Sequence, residues 1–195
     1  MKFDENTKIL IVGLGLIGGS YARALTEKGF ETGALDVDQK AIDYALAKGW
    51  IKSGQTQADK DYVSRFDVVV FAVYPKTLIA WIERYRSFIK RGALVTDVSG
   101  VKGCVVYKAQ ELLQDRAEFI GAHPMAGREV SGVEHANPAI FKAAPGKNRF
   151  FYPQYALSDP PHGRKFHPPR LANLPERCYN PRICPEKQTG RRDSA

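Results

Sequence analysis

A doubly wound α/β fold built on a mainly parallel sheet is predicted by three features of this 195-residue sequence. Short apolar, β-branched runs alternate with amphipathic stretches of helical period, as repeated βαβ units require. A glycine-rich turn joins the first run directly to the first helix. This regular text then stops near residues 145–153, where an irregular Pro/Arg-rich tail begins. The expected division is a folded domain over 1–153 and a tail over 154–195.

The elements follow in order. Lys8 to Val12 reads as a buried first strand, and Leu16 to Lys28 as a helix with Ile17, Tyr21, Ala24 and Leu25 inward, stopped by Gly29. Glu31 to Leu35 is the second strand. Asp38 is placed to cap a second helix reaching Lys48, which Gly49 ends. Asp67 to Val73 is the clearest buried strand; after Tyr74-Pro75 a helix runs to about Ile89. Ala93 to Thr96 is a strand, Lys102 to Gln114 a helix, and Glu118 to Ala122 a strand leading into His123-Pro124.

Composition narrows the function classes. A hydrophobic content of 44% suffices for one good-sized core. No run approaches the roughly 20 apolar residues of a membrane span, and the polar start, with Asp4 and Glu5, does not resemble a signal peptide, so a cytoplasmic location is expected. Cys104, Cys178 and Cys184 form no CxxC pair and read as reduced thiols, with no disulfide framework and no metal site. The net charge is +8, but the segment from Pro145 to Ala195 carries +6 of it, together with nine of the twelve prolines. A basic tail without aromatics on a folded face argues against a nucleic-acid partner. Ser158 to Ala195 has too little apolar pattern to be expected to pack on the domain.

Gly13-Leu14-Gly15-Leu16-Ile17-Gly18 fits GxGxxG between the first strand and the first helix. The first glycine makes the turn, Gly15 admits a pyrophosphate to the backbone, and Gly18 lets helix and strand pack closely. The competing reading is a glycine turn without a ligand. Asp36 closes the second strand 23 residues after Gly13, where a carboxylate binds ribose hydroxyls and repels the 2′-phosphate of NADP. Asp38 competes for that role, and Asp36 could instead cap nearby backbone. With Val73 at the end of the central strand, these residues form the expected cofactor site of a Rossmann-type domain, and NAD is favoured over NADP.

The fold fixes no reaction. Chemistry is sought at the carboxyl edge of the sheet, where Gly121-Ala122-His123-Pro124-Met125-Ala126-Gly127-Arg128-Glu129-Val130-Ser131-Gly132 begins. An imidazole there, with an ordinary pKa near ~6.5, can take the proton of a hydroxyl being oxidised. From the residues alone, a catalytic base and a structural loop histidine are equally good readings of His123.

The segment His-Pro-x-Ala-Gly-x-Glu-x-Ser-Gly closely resembles the motif of the prephenate and arogenate dehydrogenase family, and Thr96-Asp97-Val98-Ser99-Gly100-Val101-Lys102 looks like its Asp-x-Gly-Ser-x-Lys segment. The similarity runs from about Lys8 to Phe141. It implies NAD-dependent oxidative decarboxylation of prephenate in tyrosine biosynthesis, with arogenate as the alternative substrate. It also implies that His123 bonds the ring hydroxyl, that Ser99 lies near nicotinamide and substrate, and that Arg128 and Glu129 lie beside the substrate.

Two departures stand out. The family's Gly-Ser order is inverted here to Ser99-Gly100, which shifts the expected serine by one position. Family members also continue into a helical domain that dimerises and completes the substrate pocket, and nothing in the tail resembles it. Asn148 to Pro153 still suggests a family strand, but the text beyond reads as a chain out of frame or truncated. Full-length members are expected to be homodimers and this chain alone a monomer. A non-catalytic NAD-binding module is the competing functional reading.

Overall fold

The protein is described here by a computed structural model that covers residues 4–101, 103–124 and 129–141. The expectations for Lys102, Arg128, the 148–153 strand, the 153/154 boundary and the tail fall outside these residues.

Among the described residues, six strands form one sheet in the order β3-β2-β1-β4-β5-β6, and every pairing is parallel. They are β1 Lys8–Val12, β2 Glu31–Leu35, β3 Ser53–Gln55, β4 Val68–Phe71, β5 Leu94–Asp97 and β6 Glu118–Gly121. The helices are α1 Leu16–Thr26, α2 Gln39–Ala47, α3 Lys60–Val63, α4 Pro75–Tyr85 and α5 Gly103–Leu113. Because a parallel sheet must be covered on both faces, its strands are apolar on both sides. Ile9, Ile11, Val68 and Val70 pack with Tyr21, Leu25 and Ile42 of α1 and α2, whereas Leu10, Val69 and Val95 pack with Leu78, Ile82, Val105 and Ala109 of α4 and α5. This is the doubly wound Rossmann arrangement. Strand order reverses between β1 and β4, which opens the crevice where such sheets take ligands.

Several boundaries differ from the sequence expectation. Helix α1 stops at Thr26, not Lys28, because its end tightens: Lys28 N–H donates to the Leu25 carbonyl at 3.0 Å and Gly29 N–H to the Thr26 carbonyl at 2.9 Å, delivering the chain to Gly29 at φ 90°. The stretch expected as one helix to Ile89 divides into α4 and a 3₁₀ turn over Arg86–Phe88. The central strand spans Val68–Phe71, so Val73 lies in the loop beyond it. Ile17 and Ala24 are half-buried, while Ala22 is fully covered, because α1 is wedged between the sheet and a later turn described below.

Strand β3 and helix α3 carry too little periodic apolar text to be expected, and Tyr62 explains both. Its hydroxyl accepts from Ala34 N–H at 3.2 Å and donates to the Ser53 carbonyl at 3.0 Å, lacing β2 to the edge strand. Gly33 leaves the room: a Cβ there would sit 2.7 Å from the Tyr62 hydroxyl.

Candidate functional site

The turn after β1 uses its glycines for different reasons. Gly13 has φ 96°, donates its N–H to the Leu35 carbonyl at 2.8 Å, and would put a Cβ 2.6 Å from the Ala72 carbonyl oxygen and 2.7 Å from Val73 Cγ1. At Gly18 a Cβ would run into the carbonyl of Gly13, so this contact is between backbone and backbone. Gly15 differs from both. No protein atom lies within 4 Å of where its Cβ would be, and no side chain caps the helix that starts after it. Leu14 and Leu16 are buried and Ile17 is half-buried, so these residues contribute backbone at the turn. Open space at Gly15 beside an uncapped helix N-terminus fits a pyrophosphate.

Asp36 stands at the end of β2, half-buried. Its carboxylate accepts the N–H of Leu14 at 2.5 Å and of Asp38 at 2.8 Å, which fixes the glycine turn to the second strand. Asp38 is occupied as the cap of α2, accepting Lys40 N–H at 2.9 Å. Between them opens a cavity of about 450 Å³ whose lining includes Gly15, Asp36, Lys40 and Tyr44.

The lining of that cavity also includes Gly132, Val133 and Glu134, a part of the chain for which sequence reasoning assigned no cofactor contact. The 3₁₀ turn Val133–His135 lies in the groove between α1 and α2, seated on Gly19. A Cβ on Gly19 would meet Ala136 Cβ at 2.9 Å and Val133 Cγ2 at 3.1 Å. Asn137 N–H donates to Ser20 Oγ at 2.9 Å, which in turn donates to the Leu16 carbonyl at 2.6 Å. Tyr21 and Phe141 stack with ring centroids 4.7 Å apart. A second glycine after Gly18 is the signal that could have indicated this seat.

The other half of the edge is formed where β5 and β6 end. Asp97 is fully buried, and its carboxylate accepts both the N–H and the hydroxyl of Ser99 and the N–H of Ala122 at 3.3 Å. Burial raises the pKa of Tyr21, and the negative charge of Asp97 raises it further, so the phenol stays neutral. Ser99 is thus turned back toward β5. Gly100 faces His123 instead: a Cβ on Gly100 would lie 3.3 Å from both Cε1 and Nε2 of the ring. His123 itself is exposed, immediately after buried Ala122, and Glu129 is exposed beyond it. With strands about 4.8 Å apart, β6 lies roughly 14 Å across the edge from β1. Arg128 lies outside the described residues. Among the described residues no cluster of His, Cys, Asp or Glu could hold a metal ion, and no helix is long and apolar enough to cross a membrane.

A family model for the prephenate dehydrogenase nucleotide-binding domain matches residues 21–146. The chain belongs to that family. The prephenate dehydrogenase of Bacillus subtilis (strain 168) is 34% identical over 138 residues, which are 70% of this chain and 37% of that protein. The chain therefore spans well under half the length of this curated relative. Among solved structures, the prephenate dehydrogenase of A. aeolicus in complex with hydroxyphenyl propionate and NAD+ superposes with a TM-score of 0.63 at 31% identity, covering 73% of this chain and 51% of that one. The arogenate dehydrogenase of Synechocystis superposes with a TM-score of 0.62 at 27% identity, covering 67% and 45%. The family match begins at Tyr21, so the glycine turn ahead of it stands on its own geometry.

Proposed function

We propose that this chain is the dinucleotide-binding part of an NAD-dependent prephenate dehydrogenase. The observation that carries the reading is the edge of the sheet: an open glycine turn and the Asp36 carboxylate on one side of the switch point, and an exposed histidine on the other. The turn and the N-terminus of α1 hold the pyrophosphate, Asp36 receives the adenosine ribose, and Val73, packed against Gly13, borders the path toward β5. NAD is the cofactor that the solved A. aeolicus relative holds.

Nicotinamide supplies the hydride acceptor. His123 accepts the proton of the ring hydroxyl while the hydride leaves the same carbon, so a ring ketone forms with its carboxylated carbon in the para position. The C–C bond to that carboxylate then breaks. Carbon dioxide leaves, the bonding pair passes through the ring to the ketone oxygen, that oxygen takes back the proton held by His123, and the product is the phenol 4-hydroxyphenylpyruvate. Aromatisation makes the step irreversible in practice. Asp97 is the positioning residue of this half-site, since one buried carboxylate holds both the Ser99 loop and the backbone just before His123. Arg128 and Glu129 are assigned to the substrate side by resemblance to the family motif. The substrate pocket requires the helical domain of the full-length family members, whose length this chain does not span.

The test is prephenate-dependent NADH formation measured beside NAD binding in the same preparation, with arogenate as a parallel substrate. NAD binding with turnover of prephenate supports the enzyme. NAD binding without turnover of either substrate assigns this chain as a cofactor-binding module, and preference for arogenate follows the Synechocystis relative.

A further inference from the structure

We propose that Glu134 is a second selectivity residue of the cofactor site, a carboxylate that acts with Asp36 to exclude a ribose bearing a 2′-phosphate. The inference rests on the dinucleotide reading above and extends it to a residue more than a hundred positions from the glycine turn. Glu134 lines the same 450 Å³ cavity as Asp36, together with Gly132 and Val133. It also borders a second groove of about 540 Å³, between the C-terminal ends of α1 and α2, where Arg23, Glu27 and Lys48 stand. Its carboxylate is nonetheless folded onto Gly132: both Oε1 and Oε2 occupy the space that a Cβ on Gly132 would need. Gly132 lines the first cavity and not the second, so the charge is carried on the ribose side. At φ 101°, Gly132 adopts a backbone that only glycine takes readily, which makes this fold-back possible.

Among the described residues, the walls of the cavity then hold three carboxylates, Asp36, Asp38 and Glu134, against the single ammonium of Lys40. His135 lies 3.8 Å from Glu134 and offsets part of its charge when protonated. Two ribose hydroxyls can donate hydrogen bonds to such a wall. A 2′-phosphate brings about two further negative charges to it and finds one cation. The wall is secure because its turn rests on Gly19 and Ser20 of the same helix whose N-terminus faces the pyrophosphate.

The experiment is calorimetric titration of the whole chain with NAD+ and with NADP+, at low and at high salt, for the unmutated protein, Glu134→Gln, Asp36→Ala and the double variant. Gln keeps the size of the side chain and removes only its charge. Glu134→Gln should narrow the preference for NAD by about threefold to fivefold at low salt, less at high salt, and should narrow it further on top of Asp36→Ala. An unchanged ratio overturns the proposal, as does an equal loss for both cofactors, which would make Glu134 a prop for the turn. If the unmutated chain binds neither cofactor, the dinucleotide reading itself fails and this inference with it. Binding of NAD with an unmoved ratio removes the inference alone.

Discussion

The ring of His123 lies directly over Gly100, so close that a Cβ on the glycine would stand 3.3 Å from Nε2. That distance leaves no room for a β-branched residue while the imidazole keeps its place. In a fusion of residues 1–144 to the helical domain of a family member, Gly100→Val should lower prephenate turnover by tenfold or more, since a misplacement near 1 Å can cost about 100-fold. His123→Asn should lower it by about 10²- to 10⁴-fold, the usual contribution of a general base. Both variants should bind NAD as the parent does. Unchanged turnover in both would make the histidine structural.

Gly15 and Gly18 look alike in the motif and should fail in opposite ways. A side chain at Gly15 meets no protein atom within 4 Å, so Gly15→Val should melt close to the parent temperature and lose NAD binding. At Gly18 a side chain strikes the Gly13 carbonyl, so Gly18→Ala should unfold at markedly lower denaturant. Paired melting and titration curves check this, and a Gly15 variant that still binds NAD would refute the pyrophosphate assignment.

Much of this architecture was legible in the sequence. The first two strands are bounded as the text indicates, because each is a short run with four buried residues that ends at a turn residue, Gly13 after the first and Asp36 after the second. Asp38 caps α2 as its type suggests. What could not be read depends on contacts distant in sequence. β3 is Ser-Gly-Gln, with no pattern of its own, and it pairs because Tyr62 and Ile42 build around it. Ser99 was expected near the substrate from the motif, yet which of Ser99 and Gly100 faces His123 depends on the pull of Asp97, and no spacing rule encodes that. Glu134 belongs to no motif, because its wall forms only when the chain returns across α1.

Asp67 should make the fold sensitive to acid. Burial alone would raise its pKa, but the N–H of Lys8 at 3.0 Å and the ammonium of Lys90 at 2.7 Å prevail and lower it. A carboxylate with a depressed folded pKa contributes stability above its unfolded pKa, and that contribution is lost as pH falls through the folded value. Urea midpoints measured from about pH 6 down to pH 3 should therefore fall more steeply for the parent than for Asp67→Asn. Parallel curves would show that the pair adds nothing.

Thr96 is fully buried in β5, and its hydroxyl is the only buried side-chain oxygen among the described residues without a hydrogen-bond partner. Replacing it with a methyl group of similar shape removes that cost. Thr96→Val should stabilise the domain by about 1 kcal/mol, read from chemical denaturation. A clear loss of stability would mean that the hydroxyl finds a partner in solution.

The bond from the Asn137 amide to Ser20 Oγ supplies a gauge that needs no label. This amide lies outside the helical and sheet ladders, so its protection against deuterium reports one event, the lifting of the returning turn from α1. Exchange at Asn137 faster than in the central strands would give the free energy of that local opening separately from global unfolding. A dinucleotide held between Asp36 and the turn would slow this amide in proportion to its occupancy, so a single backbone proton could measure how firmly the cofactor closes its own pocket.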